Sequence, residues 1–503
     1  MKRLKLILMA FVAVLATFVG GKALAYDITI DGAVDGHTYE AYQIFKGDLS
    51  DKTLSNITWG NGVTPEGTAA LGNAKEKAEL LTDTAKAEEF AKEVGKYLQN
   101  PTTATGSKIN VTEAGYYLIK DKDASLDGTN KGYTAYILEV VKDVTVTPKA
   151  GVPTVQKKVK DINDTTDADI KNSKWQDSAD HDIDDDVPFQ LTATLPSNFD
   201  AFDQYYLNFS DTLSTGLTYN NDAKVFVENA GVRTEVSNYF FKGMDKGKLS
   251  FAIVDLKQIA LDGTATVNKD TKVIVEYTAK LNKDAVHGSA GNPNEVVLVY
   301  YNNPNKSGDG KNKPTTPPTT PPSTPPTPPT PPTGETPKDK VIVFTYKTVV
   351  NKLDEDRAPL AGAEFTLIKK MKDDSEKTIK VVTAQEGKQF NFNGLDDGEY
   401  ILRETKAPAG YNRINDITFT ISATHDVTAD EPKLTDLNGN AGSGEITFTK
   451  DVTAGSLTTD VVNKKGSLLP STGSMGTTIL YVLGAILAVG AGVLLVTKKR
   501  VKA

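Results

Sequence analysis

Cysteine is absent from this chain, and 503 residues hold only four histidines and two tryptophans. Each shortage removes a class of function. Without thiols there is no disulfide framework, no cysteine nucleophile and no thiolate zinc site. His37, His181, His287 and His425 are scattered without ligand spacing, so no metal site is read from them. Neither a Gly-x-Ser-x-Gly elbow nor a phosphate-cradling glycine loop occurs, and the chain reads as a non-enzyme that needs no cofactor. Positive charge is also short: 57 Lys and Arg stand against 65 Asp and Glu, a formal charge of -8. That balance argues against nucleic acid as a partner.

Both ends carry targeting patterns. Lys2, Arg3 and Lys5 precede the apolar run Leu6–Val19 and the small-residue site Ala23-Leu24-Ala25, the layout of a signal peptide cut between Ala25 and Tyr26. At the other end, the apolar stretch Ile479–Val496 is followed by Lys498, Lys499, Arg500 and Lys502. As a helix it reaches roughly 27 Å, enough for a transient transmembrane anchor with the basic tail inside. Just before it stands Leu469-Pro470-Ser471-Thr472-Gly473. This order resembles the LPxTG sorting signal of Gram-positive bacteria, which implies cleavage between Thr472 and Gly473 by a sortase and transfer to peptidoglycan. An exported chain without disulfides must take its rigidity from its cores or from another crosslink.

Between these ends the pattern is mainly β. Residues 26–149 open and close on strand-like segments around an Ala/Glu/Lys-rich helical region within Thr64–Asn100. Residues 150–306 and 338–465 alternate apolar and polar residues between turn clusters, as antiparallel sandwiches do. Residues 307–337 form a proline-rich linker. Such a run cannot enter a sheet or continue a helix, and as a polyproline rod it spans on the order of 70 Å. Residues 1–25 are the signal peptide and 466–503 the sorting signal, transmembrane helix and tail.

The third domain holds the most specific chemistry. On a strand through Tyr400–Glu404, the residues Tyr400, Leu402 and Glu404 share the apolar face while Arg403 points away. Val350 with Lys352, and Val461 with Asn463, do the same near the domain's two ends. Burial drives a lysine toward the neutral amine and a carboxylate toward the acid. Lys352 then becomes a nucleophile, and Glu404 polarises the Asn463 carboxamide and passes a proton to departing ammonia. The product is a Lys352–Asn463 isopeptide bond tying first strand to last.

Tyr400–Tyr411 matches the E-box, YxLxETxAPxGY, of CnaB-type immunoglobulin-like domains in Gram-positive pilins, and Leu360–Leu367 and Val461–Lys465 are similar to that family's strands. The resemblance implies the same lysine, glutamate and asparagine crosslink. The second domain resembles the CnaA-like middle domain of backbone pilins. There alternation favours Lys157 over Lys158 and places Asp211 on an apolar face; the resemblance implies a Lys157–Asn302 bond promoted by Asp211. Alternation does not separate Asn302 from Asn303.

Val144, Val146, Pro148 and Lys149 resemble part of the pilin motif WxxxVxVYPK, with Val140 and Thr147 where Trp and Tyr are expected. This implies that Lys149 of one subunit attacks the Thr472 carbonyl of another. The whole pattern is similar to the backbone pilin of sortase-assembled pili, which implies identical subunits, minor pilins, a sortase and peptidoglycan as partners, and a host receptor or matrix beyond them. The alternatives are a monomeric wall-anchored adhesin and a basal pilin. The acidic run Asp177–Asp186 lacks the spacing and glycine of an EF-hand loop and reads as a solvated loop in preference to a calcium site.

Overall fold

Among the described residues, alternation at period two resolves into six sheets grouped in three bodies. The computed structural model describes residues 26–466 and 475–500, except 34, 51–52, 105, 128, 142, 167–172, 309–315, 328–332, 384–388 and 443; at 50, 139–141, 475–478 and 496–500 it describes backbone alone.

In the first body, a sheet ordered Thr53–Trp59, Tyr39–Ser50, Gly115–Asp121, Ile137–Val141 lies beside a smaller one built on Tyr26–Ile30. Three short helices, Pro65–Leu71, Ala74–Glu79 and Thr84–Val94, occupy the region expected to be helical. Each begins where a side chain, that of Thr64, Asn73 or Asp83, accepts a hydrogen bond from an otherwise unpaired backbone N–H. Phe90, Ala91 and Val94 then bury against Phe45 and Leu118 of the sheet.

The second body packs two seven-stranded sheets face to face around a core running from Val159 to Val343. One sheet carries Thr154–Lys160, Asp186–Thr194 and Lys272–Leu281. The other carries Leu207–Leu213, Asn292–Tyr301 and Asp339–Phe344. That last strand corrects the expected domain boundary. Thr333–Glu335 pairs with Val299–Tyr301, and Asp339–Val343 pairs with Asn292–Val296, so the chain returns to the strand it left before the prolines. The proline-rich segment is therefore an excursion from the second domain, not a linker to the third. Asn238 Nδ2 donates to the Thr319 carbonyl at 3.2 Å, which lays part of it on the second domain's surface. The expectation that this run cannot enter a sheet fails at Thr333–Glu335, which lies past the last Pro-Pro step and pairs as a strand; proline content also carried no information on whether the ends diverge.

The strand Asp339–Phe344 also serves two cores. Val341 and Val343 face the second domain, while Ile342 and Phe344 face the third. Buried Thr345 alone separates it from Tyr346–Leu353, the third domain's first strand. In that domain a four-stranded sheet faces a five-stranded one. Its first strand and its last, Ser456–Val462, are parallel neighbours, in register from Lys347 opposite Ser456 to Leu353 opposite Val462.

The chain continues into a helix, Met475–Arg500. Among the described residues no helix is long and apolar enough to cross a membrane. The side chains of this one are described only from Ile479 to Leu495, so the expected span Ile479–Val496 runs past them. Ala25 and the pentapeptide Leu469–Gly473, with Thr472, lie outside the described residues.

Candidate crosslinking sites and the polymer joint

In the third domain the strand Gly398–Lys406 buries Tyr400, Leu402 and Glu404, while Arg403 turns outward to Asp416 at 2.9 Å. Lys352 and Asn463 are wholly buried beside Glu404. Lys352 Nζ donates to Asn463 Oδ1 at 2.5 Å and to the Val461 carbonyl at 3.1 Å, and lies 4.0 Å from Glu404 Oε1. Asn463 Nδ2 donates to both Glu404 oxygens at 3.0 Å and to the Asn412 carbonyl at 3.0 Å. The loop after the E-box strand completes the pocket, since Ile414 N–H donates to Glu404 Oε2 at 2.9 Å. Neither Asn412 nor Ile414 was singled out in the sequence, because both contribute backbone groups.

Burial pushes the Lys352 amine down to about 8 against a smaller opposing pull from Glu404. At pH 7 roughly a tenth of it is then the neutral nucleophile, far more than for an ordinary lysine. The amine reaches the carbonyl side of the amide and the acid reaches its nitrogen, as aminolysis with loss of ammonia requires.

The second domain assembles a related cluster with one change of partner. Lys157 and Asp211 are wholly buried, and Lys157 Nζ donates to Asp211 Oδ2 at 2.5 Å and to the Tyr277 hydroxyl at 3.1 Å. Burial pushes the Lys157 amine down and the Asp211 carboxyl up, each opposed by the other's charge. Lys158 turns away to Asp177, as alternation required. Asn302 is elsewhere. Its Nδ2 donates to the Leu126 and Lys131 carbonyls of the first domain at 3.3 and 3.2 Å, and its carbonyl accepts from Tyr133 N–H. Asn303 accepts from Asn305 N–H at the start of the short turn Pro304–Lys306. The asparagine that reaches the cluster is buried Asn294, whose Nδ2 donates to the same Tyr277 hydroxyl at 2.7 Å. Asn302 sits one residue past the strand's end and stitches two domains together. Asn294 lies within the strand Asn292–Tyr301, in phase with buried Val296, Leu298 and Tyr300.

The acidic run, expected to be a solvated loop, is solvated only in part: Asp184 and Asp186 are exposed. Asp177, Asp180 and Asp182 are buried between the second and third domains. The carboxylates of Asp164, Asp182, Asp185 and Asp396 converge closely enough to hold a cation, and the ammonium of buried Lys369 lies among them. It contacts Asp396, Asp182 at 2.9 Å and Asp164 at 3.4 Å. Burial alone would lower this amine; the carboxylates hold it well above the usual lysine range, so Lys369 stays a clamp where Lys352 becomes a nucleophile. Replacing Lys369 with Met strands buried carboxylates without a counter-charge and is expected to cost about 3–5 kcal/mol in denaturant unfolding of the ectodomain.

The same junction predicts a pH dependence. Burial raises Asp182 and Asp396, and lifts Asp397 to about 7, so docking favours their protonated forms. Burial opposes a charged His181 or His425, but Asp185 and Asp161 raise His181 to about 9, and Asp161 and Asp180 raise His425 to about 10. The histidine contribution is complete below 6.5 and lost through those values. Asp180 and Asp185, held down by the histidines against burial, contribute above 3.8 and fail in stronger acid. Calorimetry should therefore give a higher melting temperature near pH 5 than near pH 9; equal values would contradict this arrangement.

Lys149 stands at the boundary of the first two domains. Its carbonyl is fixed by Ala135 N–H and by Asn198 Nδ2 at 2.9 Å, while its side chain is exposed with Nζ 3.0 Å from Glu88 Oε1.

The tandem β-sandwiches with their buried Lys–acid–Asn clusters resemble one class, the wall-anchored surface proteins of Gram-positive bacteria. Residues 347–433 match the SpaA family, a prealbumin-like fold domain, and residues 461–503 match the LPXTG cell wall anchor motif. Within that class the chain resembles sortase-assembled backbone pilins. The trypsin-resistant surface T6 protein of Streptococcus pyogenes serotype M6 is 28% identical over 381 residues, covering 62% of this chain and 64% of that protein. The structure of the T6 backbone pilin of serotype M6 Streptococcus pyogenes, which has a modular three-domain structure, superposes with a TM-score of 0.56 at 19% identity, covering 89% of this chain and 100% of that one.

Proposed function

We propose that this chain is the repeating structural subunit of a covalently polymerised pilus fixed to the Gram-positive cell wall. The observation that carries it is the Lys352–Glu404–Asn463 geometry, which brings the third domain's first and last strands together at Asn463, inside the segment that matches the anchor motif. A sortase takes Thr472 as an acyl-enzyme, Lys149 of the next subunit resolves it, and the final subunit passes to peptidoglycan. Within each subunit Lys352 joins Asn463, promoted by Glu404, and Lys157 joins Asn294, promoted by Asp211. Each bond expels one ammonia, and the chain turns over no external substrate. Minor pilins and a host receptor or matrix fit the same reading as further partners.

Tension entering through the last strand crosses the Lys352–Asn463 amide into the first strand and leaves toward Asp339–Phe344. The remainder of the third domain is then outside the load path. The assembly test is an immunoblot of wall extracts. A ladder of detergent-resistant polymer is expected; a single band would instead indicate a monomeric anchored adhesin. The reassigned acceptor has its own test. Asn294→Ala should return the mass of one ammonia to the ectodomain, whereas Asn302→Ala should leave the crosslink intact.

A further inference from the structure

The two crosslinking clusters differ in how the acid reaches the leaving nitrogen. In the third domain both Glu404 oxygens accept directly from Asn463 Nδ2. In the second the acid is an aspartate, one methylene shorter. Asn294 Nδ2 donates to the Tyr277 hydroxyl at 2.7 Å, and that hydroxyl donates to Asp211 Oδ2 at 2.8 Å and accepts from Lys157 Nζ at 3.1 Å. Tyr277 thus touches all three members. Asn294 Oδ1 has no hydrogen-bond partner among the described residues, so the amide is oriented through its nitrogen. The ring is held by Phe189 and Phe251, with centroids 5.4 and 5.5 Å away.

We propose that Tyr277 is the proton relay of the second-domain crosslink, joining the Asp211 carboxyl to the nitrogen that Asn294 sheds. The inference rests on the Lys157–Asn294 bond proposed above. Neutral Lys157 Nζ attacks Asn294 Cγ, and the proton it releases passes to Asp211. Tyr277 accepts a proton from Asp211 as it donates its own to Nδ2. The Cγ–Nδ2 bond breaks, ammonia leaves, and an Nζ–Cγ amide remains. A relay of this kind conserves every proton and needs a hydroxyl that stays protonated. Burial and the Asp211 charge keep the Tyr277 hydroxyl in that form.

The test follows ammonia loss by intact mass after refolding the complete ectodomain. Tyr277→Phe keeps the ring and removes the relay, so second-domain bond formation should slow by about 100-fold or more, while the third domain reacts normally. Combining it with Asp211→Glu supplies an acid as long as Glu404 and should restore much of the rate. A Tyr277→Phe protein that reacts at the wild-type rate overturns the relay. So does a slowed variant that Asp211→Glu does not rescue, since packing alone then explains the loss. If the wild type loses no ammonia from the second domain, the Lys157–Asn294 bond itself is wrong.

Discussion

Replacing Lys352 with Ala should leave the ectodomain heavier by one ammonia than the crosslinked protein, after correction for the substitution, and should lower the third domain's melting temperature steeply. The bond closes a loop between positions 111 apart in sequence. On the chain-entropy account, releasing a loop of that size costs about 4.7 kcal/mol. For a domain of this size that corresponds to roughly 20 °C. Glu404→Gln keeps the volume but leaves one acceptor oxygen where Glu404 has two, and it removes the acid beside the leaving nitrogen. It should show the same retained ammonia and most of the same fall in melting temperature. A Glu404→Gln domain that still loses its ammonia would mean the acid is dispensable.

The second large effect is on assembly. Lys149→Ala should abolish the polymer ladder and leave monomer on the wall, because each subunit then offers an acyl-enzyme but no acceptor. Lys149→Arg should fail equally, since a guanidinium remains protonated and is no nucleophile. Glu88→Ala should leave the ladder in place. That ion pair is about half exposed on both sides, and such pairs contribute little. A Lys149→Ala strain that still built a ladder would move the acceptor elsewhere.

How much of this was legible in the sequence varies with the physics of each element. Strand alternation gave the sandwiches and turned Lys352, Glu404 and Lys157 inward, because period-two burial is a local property. The helices of the first domain were legible for the same reason, with Thr64, Asn73 and Asp83 ready to cap them. What failed was long-range pairing. Nothing local in Pro314–Pro337 says that Thr333–Glu335 returns to pair with Val299–Tyr301. Asn302 and Asn294 are both buried asparagines of one segment, and only the opposing sheet, through Tyr277, distinguishes them. The buried members of the acidic run were not legible because their counter-charges, Lys369 and His425, lie about 190 and 240 residues onward in another domain, beyond any sequence window.

Peptide mapping of polymer extracted from the wall tests the central claim most directly. A branched peptide should join the Thr472 carboxyl to Lys149 Nζ, alongside internal branches joining Lys352 to Asn463 and Lys157 to Asn294. Polymer or wall-bound protein in which Lys149 is always a free amine would contradict the account.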